Sequence, residues 1–219
     1  MAMASGENRT GNSRRIKIIN AGFALMLILA TLTSAYSVWQ AARYAGSSSR
    51  DMMTSNGMRT ESNKYFVNGL LEEQVDVGSW LDWVSAVSEN NTRLANFIEE
   101  RFRDEFKPAF YAWLNSANKT DGIPAGTPFS LPEYQNANIE KSKSIDQQIE
   151  QLGDSASQKS NYASRLTLMT VLTAAIIVIC GFESRMRNET AKLPLLVTVL
   201  IIYIFAFSMI LQIPPTWGF

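Results

Sequence analysis

Residues 18–42 read IINAGFALMLILATLTSAYSVWQAA, a run of 25 residues without one charged side chain. A bilayer core is about 30 Å thick, so a crossing helix needs roughly 17–25 mostly apolar residues. Two further stretches meet that requirement, Leu166 to Phe182 and Leu193 to Phe219. Only ten residues part the second from the third, whereas about 120 part the first from the second. The spacing predicts an all-α membrane protein: three transmembrane helices, with a helical-bundle extracytoplasmic insert between the first and second. The expected segments are a disordered cytoplasmic tail at 1–16, a span at 17–40, the insert at 41–163, a span at 164–183, a cytoplasmic loop at 184–192, a span at 193–212 and an extracytoplasmic tail at 213–219.

Whole-chain composition conceals this plan. The 20 Lys and Arg balance 20 Asp and Glu, because a polar insert averages against apolar spans. Counted by region, Arg9, Arg14, Arg15 and Lys17 precede the first span, opposed only by Glu7. The short loop between spans two and three carries Arg185, Arg187 and Lys192. Positive charge marks cytoplasmic segments, so both segments are expected inside, with the insert and the C-terminus outside, in the cell (plasma) membrane. The first apolar run exceeds the roughly 7–15 residues of a signal-peptide core, and Tyr36 and Trp39 stand where an interfacial aromatic belt would lie. An uncleaved anchor is expected. Residues Met1 to Asn12, rich in Gly, Ser and Asn, suggest a disordered start.

The chain has no histidine, and its one cysteine, Cys180, falls in the second span. That removes His-based acid–base catalysis, Ser-His-Asp and Cys-His arrangements, and zinc or di-iron sites with a His ligand. No cofactor is expected. Between Ala41 and Ser164 there are 17 Asp and Glu against 12 Lys and Arg, which argues against nucleic acid as a partner.

The insert reads as helical. No proline occurs from Arg43 to Val87, and Phe66, Leu70, Val77, Leu81 and Val84 recur at steps that mark one helical face. A long helix continuing the first span is expected unless Gly46 breaks it. Asn90, Asn91 and Thr92 supply a turn and an N-cap. A second helix is expected with the stripe Leu94, Phe97, Ile98, Phe102, Phe106, Ala109, Phe110 and Trp113, and with Glu99, Arg103 and Lys107 paired four apart. Pro108 should kink it or begin a new helix. Gly122, Pro124, Gly126, Pro128 and Pro132 mark an irregular loop. A third helix is expected from near Pro132, capped by Ser130 or Leu131, to about Lys159, with a thin seam of Ile139, Ile145, Ile149 and Leu152. Gly153 to Ser160 could break it.

Each candidate site has a plain structural alternative. Glu72, Glu73 and Asp76, with Asp82, could hold a divalent cation or form a solvated face, the favoured reading. Glu99–Glu100 and Asp104–Glu105 are paired carboxylates such as a glycosidase needs, but they alternate with Arg101 and Arg103 as ordinary surface pairs would. Trp80, Trp83, Phe106, Phe110 and Trp113 could form an interaction surface, or, with Tyr111, line a pocket; filling a bundle core is the commoner role. Thr167, Thr170 and Thr173 recur every three residues on the second span, as a pore face or, more commonly, a helix-packing face. The three uncharged stretches hold no ionisable group of the kind that transporters and voltage sensors place in the membrane. Asn90-Asn91-Thr92 and Asn118-Lys119-Thr120 are glycosylation sequons, and Ile213 to Phe219, with two prolines, cannot continue a helix.

Three segments carry a resemblance: Glu100 to Leu114 (ERFRDEFKPAFYAWL), Pro128 to Tyr134 (PFSLPEY) and Ser160-Asn161-Tyr162. Over about Ala35 to Phe207 the chain resembles a widespread prokaryotic family of integral membrane proteins of uncharacterised activity. The resemblance implies the one-plus-two span layout and a helical exterior domain, and it transfers no functional residue. The expected function is a non-enzymatic membrane scaffold, accessory or sensor subunit. Its exterior helices would bind copies of the chain or a membrane-protein partner. The alternative is an oligomeric ion channel with the second span lining the pore.

Overall fold

The computed structural model of the chain describes residues 4–116, 119–120, 123–183, 185–186 and 189–216, the side chains of 4–13, 119 and 120 excepted. Met1 to Met3, part of the second sequon, Gly122, Arg187 and Trp217 to Phe219 therefore lie outside the described residues. Five α-helices dominate: α1 Ala4–Ser88, α2 Thr92–Glu99, α3 Lys107–Leu114, α4 Ala137–Glu183 and α5 Glu189–Leu211. A two-residue antiparallel pairing joins β1 Lys119–Thr120 to β2 Ile123–Pro124, and Pro128–Ser130 form a 3-10 turn. Three helices, α1, α4 and α5, are long and apolar enough to cross a membrane.

The chain divides into two compact units, one of Met1–Met52 with Asp154–Phe219, the other of Met53–Gly153. The first contains the spans. Phe23, Met26 and Ala30 of α1 pack with Ile176 and Cys180 of α4 and Val199 of α5. A second cluster joins Ala41 and Tyr44 to Ala163, Leu166, Met169, Ala206 and Ile210. Small residues at these crossings let helices approach where lipid supplies no hydrophobic drive. The large apolar side chains Leu25, Ile28, Leu32, Val171, Val178, Ile201 and Ile204 instead face outward, as a lipid-facing surface requires. The tail folds back within this unit: the Pro214 carbonyl accepts from Gln40 Nε2 at 3.0 Å and from the Tyr44 hydroxyl at 2.6 Å, and Thr216 is buried.

At the other end of the spans, Lys192 and Glu183 form an ion pair at 2.7 Å with both side chains about nine-tenths buried. Asn20 of α1, its amide turned to match its neighbours, donates to the same Glu183 carboxylate at 3.0 Å. The loop charge Lys192 is thus occupied in tying α5 to α4.

The unit Met53–Gly153 is built on the same two long helices with α2, α3 and the intervening loops. Neither Gly46 nor Gly153 interrupts its helix, and no Cβ added at either would meet another atom. The helix assignment also begins at Ala4, inside the segment expected to be a disordered tail. Helix α1 ends in a Schellman motif: Asn90 takes φ 58°, Asn90 N–H donates to Val87 O and Asn91 N–H to Ala86 O at 2.8 Å, satisfying the last carbonyls. Asn91 then caps α2, its side chain accepting from Leu94 N–H, as its sequence suggests.

One expected element is corrected and another resolved. The stripe from Leu94 to Trp113 takes the fresh helical start expected at Pro108. It turns between Glu100 and Phe106, and α3 starts afresh at Lys107 with Pro108 in its first turn, where the missing N–H costs nothing. Glu99 accordingly receives the Tyr111 hydroxyl, and Lys107 pairs with Asp104. The third helix starts at Ala137 rather than near Pro132. Asn136 is the cap, its Oδ1 accepting from the N–H groups of Asn138 and Ile139, and the helix runs past Lys159 to Glu183.

Candidate functional site

Burial along α1 follows a repeat that hydropathy does not show. Ala41, Tyr44, Ser48, Asp51, Ser55, Met58, Ser62, Tyr65, Gly69, Glu72, Asp76, Ser79, Trp83 and Ala86 are all buried or half-buried. Their steps alternate three and four, the signature of a coiled-coil seam. On α4 the positions 142, 145, 149, 152, 156, 159, 163 and 166 repeat the pattern, and the expected Ile145 and Ile149 lie within it. The α1 seam is largely small and polar, so its contacts are short. In the insert Ser62 donates to Asp146 Oδ1 at 2.7 Å and meets Ser142 Oγ at 3.1 Å. In the span unit Ser48 donates to the Ala156 carbonyl at 2.7 Å, and Asp51 takes Lys159 at 2.6 Å and the Ser155 hydroxyl at 3.0 Å. The Lys159 bond holds the Asp51 carboxyl below the usual carboxylate range.

Where the seam reaches Asp76 it becomes an ionic node. Asp76 is 1% exposed, and Arg103, from the turn before α3, grips it with Nε at 3.1 Å and Nη2 at 3.0 Å. The Tyr134 hydroxyl donates to the same carboxylate at 3.1 Å. Arg103 also reaches Glu105 at 2.9 Å and Glu72 at 3.2 Å, and Glu72 accepts from Asn138 Nδ2 at 2.8 Å. Burial and the adjacent Asp76 charge push the Tyr134 phenol well above its ordinary value. Of the four carboxylates considered for a cation, Asp76 thus receives a guanidinium and a phenol, and Glu72 a guanidinium and an amide. A fork–carboxylate pair of this kind fixes loops in place; it does not activate a nucleophile.

The five aromatics considered as an interaction surface are, for the most part, interior. Trp83, Phe106, Phe110 and Trp113 are at most 5% exposed, and Trp80 packs against them with Phe129, Leu131 and Tyr134. Trp83 meets Phe110 edge-on at 4.9 Å, and Trp80 meets Trp113 at 5.6 Å. They form the core of the insert, as the commoner reading had it. On α4 the three threonines turn their hydroxyls to their own helix: Thr167 to Ala163 O, Thr170 to Leu166 O and Thr173 to Met169 O, at 2.9–3.0 Å. Thr167 is exposed, Thr170 half-buried and Thr173 buried, so they wind round the helix and share no lining face.

The face of α1 opposite the seam is different. Phe66 (46% exposed), Val67, Leu70, Leu71 (55%), Val75 (61%) and Leu81 lie open. Of the apolar face expected to build the bundle, Phe66, Leu70 and Leu81 are on this outer side, while Val77 is half-buried and Val84 packs on the aromatic core. At 3.6 residues per turn this face also takes in Asn63, Gln74 and Gly78, and between Asn63 and Leu81 its one charged residue is the exposed Lys64, at its edge between Leu71 and Val75. No protein-family model, curated protein or solved structure matches the chain. The candidate site is therefore defined by its own surface: a largely apolar helix face on the insert.

Proposed function

We propose that the protein is a non-enzymatic membrane assembly subunit. Its spans anchor it in the cell membrane with the N-terminus cytoplasmic and the insert outside, and the insert associates with protein through the open face of α1. The observation that carries this reading is that face itself. It presents Phe66, Val67, Leu70, Leu71, Val75 and Leu81, each about half exposed, as an apolar patch of the kind that marks an interaction site, on an insert whose other large apolar residues are mostly gathered into a core. The clustering of Arg14, Arg15, Lys17 and Arg185 at the same ends of the spans supports the orientation. Catalysis has no support in the ionic node, where Asp76 is held by Arg103 and Tyr134 and Glu72 by Arg103 and Asn138.

The channel reading has less support, because the threonine hydroxyls that would line a pore are engaged with helix carbonyls and face different directions. Native mass spectrometry of protein released from nanodiscs tests the proposal. The expected result is an assembly heavier than the 24.4 kDa chain, homomeric or with a co-purifying protein, that Leu70→Glu with Leu71→Glu dissociates. A bare monomer would sink it, and cation flux in liposomes abolished by Thr170→Leu would favour the channel.

A further inference from the structure

We propose that the open face of α1 binds a second copy of the same chain, α1 against α1, parallel and in register. This rests on the assembly reading above and goes beyond it by naming the partner and the pairing. Val67, Leu70, Gln74, Val77 and Leu81 step three, four, three and four, so the open side of the helix carries its own heptad seam, separate from the one that meets α4. A helix with two such seams on opposite sides is suited to holding one partner within its chain and one outside it.

The pairing follows from anchoring and charge. Copies inserted by the same spans share one orientation, so two α1 helices in one membrane meet parallel. Each seam residue then faces its own counterpart, and a charged seam would repel itself; here there is none. Flanking positions in a parallel pair meet five residues apart. Phe66 would face Leu71 of the other copy, apolar on apolar, and Glu73 would face Gly78, which leaves the one flanking carboxylate between Phe66 and Gly78 without a like charge opposite. Gln74 at a seam position pairs amide to amide in register and is left unsatisfied by a slip, the device by which one polar seam residue fixes alignment. A stable interface between free proteins buries about 800 Å² per partner. Confinement of both copies to one membrane raises their effective concentration, so a smaller interface suffices here.

Oxidative cross-linking in native membranes tests this. In a Cys180→Ala background, Leu70→Cys and Gln74→Cys lie on the proposed seam, and Asn68→Cys is exposed on another side of the helix. Disulfide-linked dimer is expected at the two seam positions, at least about tenfold above the Asn68→Cys control, given an effective concentration in the mM range. Equal yields at all three positions, or none at the seam, would overturn the in-register pairing. If the seam yields nothing while native mass spectrometry still shows an assembly that Leu70→Glu with Leu71→Glu dissociates, the self-pairing is wrong and the assembly reading survives. If the protein is also monomeric by mass, both fail.

Discussion

Arg103 holds the turn before α3 to α1 through one buried carboxylate, so the two groups stand or fall together. Asp76→Ala removes the bidentate partner but leaves Arg103 its contacts with Glu72 and Glu105, and is expected to cost about 3 kcal/mol, the upper end for hydrogen bonds to a charged group. Tyr134→Phe, which deletes a single donor to a charged acceptor, is expected to cost about 1.5–3 kcal/mol. Thermal unfolding of the purified variants checks the order. Asp51 offers a pH-dependent counterpart. Its folded carboxyl lies below its unfolded value of about 3.9, so the Lys159 contact contributes stability above that value and loses it as pH falls through the lower, folded one. The stability gap between wild type and Asp51→Asn is expected to be constant from neutral pH to about 5 and to shrink below about 4; a gap that persists unchanged at pH 3 would contradict the assignment. None of these pairings could be read from spacing, because Asp76 and Arg103 are 27 residues apart and the local pattern favoured Arg103 with Glu99.

At the scale of elements, the helices of the insert were largely legible and their faces were not. The Asn91 cap, the new start at Pro108 and the Ile145–Ile149 seam are local signals, and each is where its residues place it. The sidedness of α1 was hidden because hydropathy points to Phe66, Leu70 and Leu81, whereas close packing selects the small residues Ser48, Ser55, Ser62 and Gly69. Gly69 shows why. A Cβ there would stand 2.7 Å from Ile139 Cγ1 and 3.0 Å from Asn136 Oδ1, at the first turn of α4. Gly69→Ala is expected to lose about 1–3 kcal/mol through overpacking, whereas Gly153→Ala, with nothing near its added methyl, should gain about 0.5–1 kcal/mol as an ordinary helical glycine replacement. Opposite signs in one melting experiment would establish the close approach. Equal gains at both positions would mean that α1 and α4 stand further apart.

Across the whole molecule, the three candidate spans were plain from the absence of charge, and each falls in a helix long and apolar enough to cross a membrane. The ends of the spans were less plain: Lys192 reads as a loop charge, yet it is buried against Glu183 and Asn20. Of the aromatics considered for an interaction surface, Trp83, Phe106, Phe110 and Trp113 fill the core of the insert, while Phe66 stands with leucines and valines on the open face. Single-molecule photobleaching of fluorescently tagged chains in native membranes counts copies without detergent. Wild type is expected to bleach in two or more steps, and the Leu70→Glu, Leu71→Glu chain in one. Single-step bleaching of the wild type, or the same step count for both chains, would contradict the account.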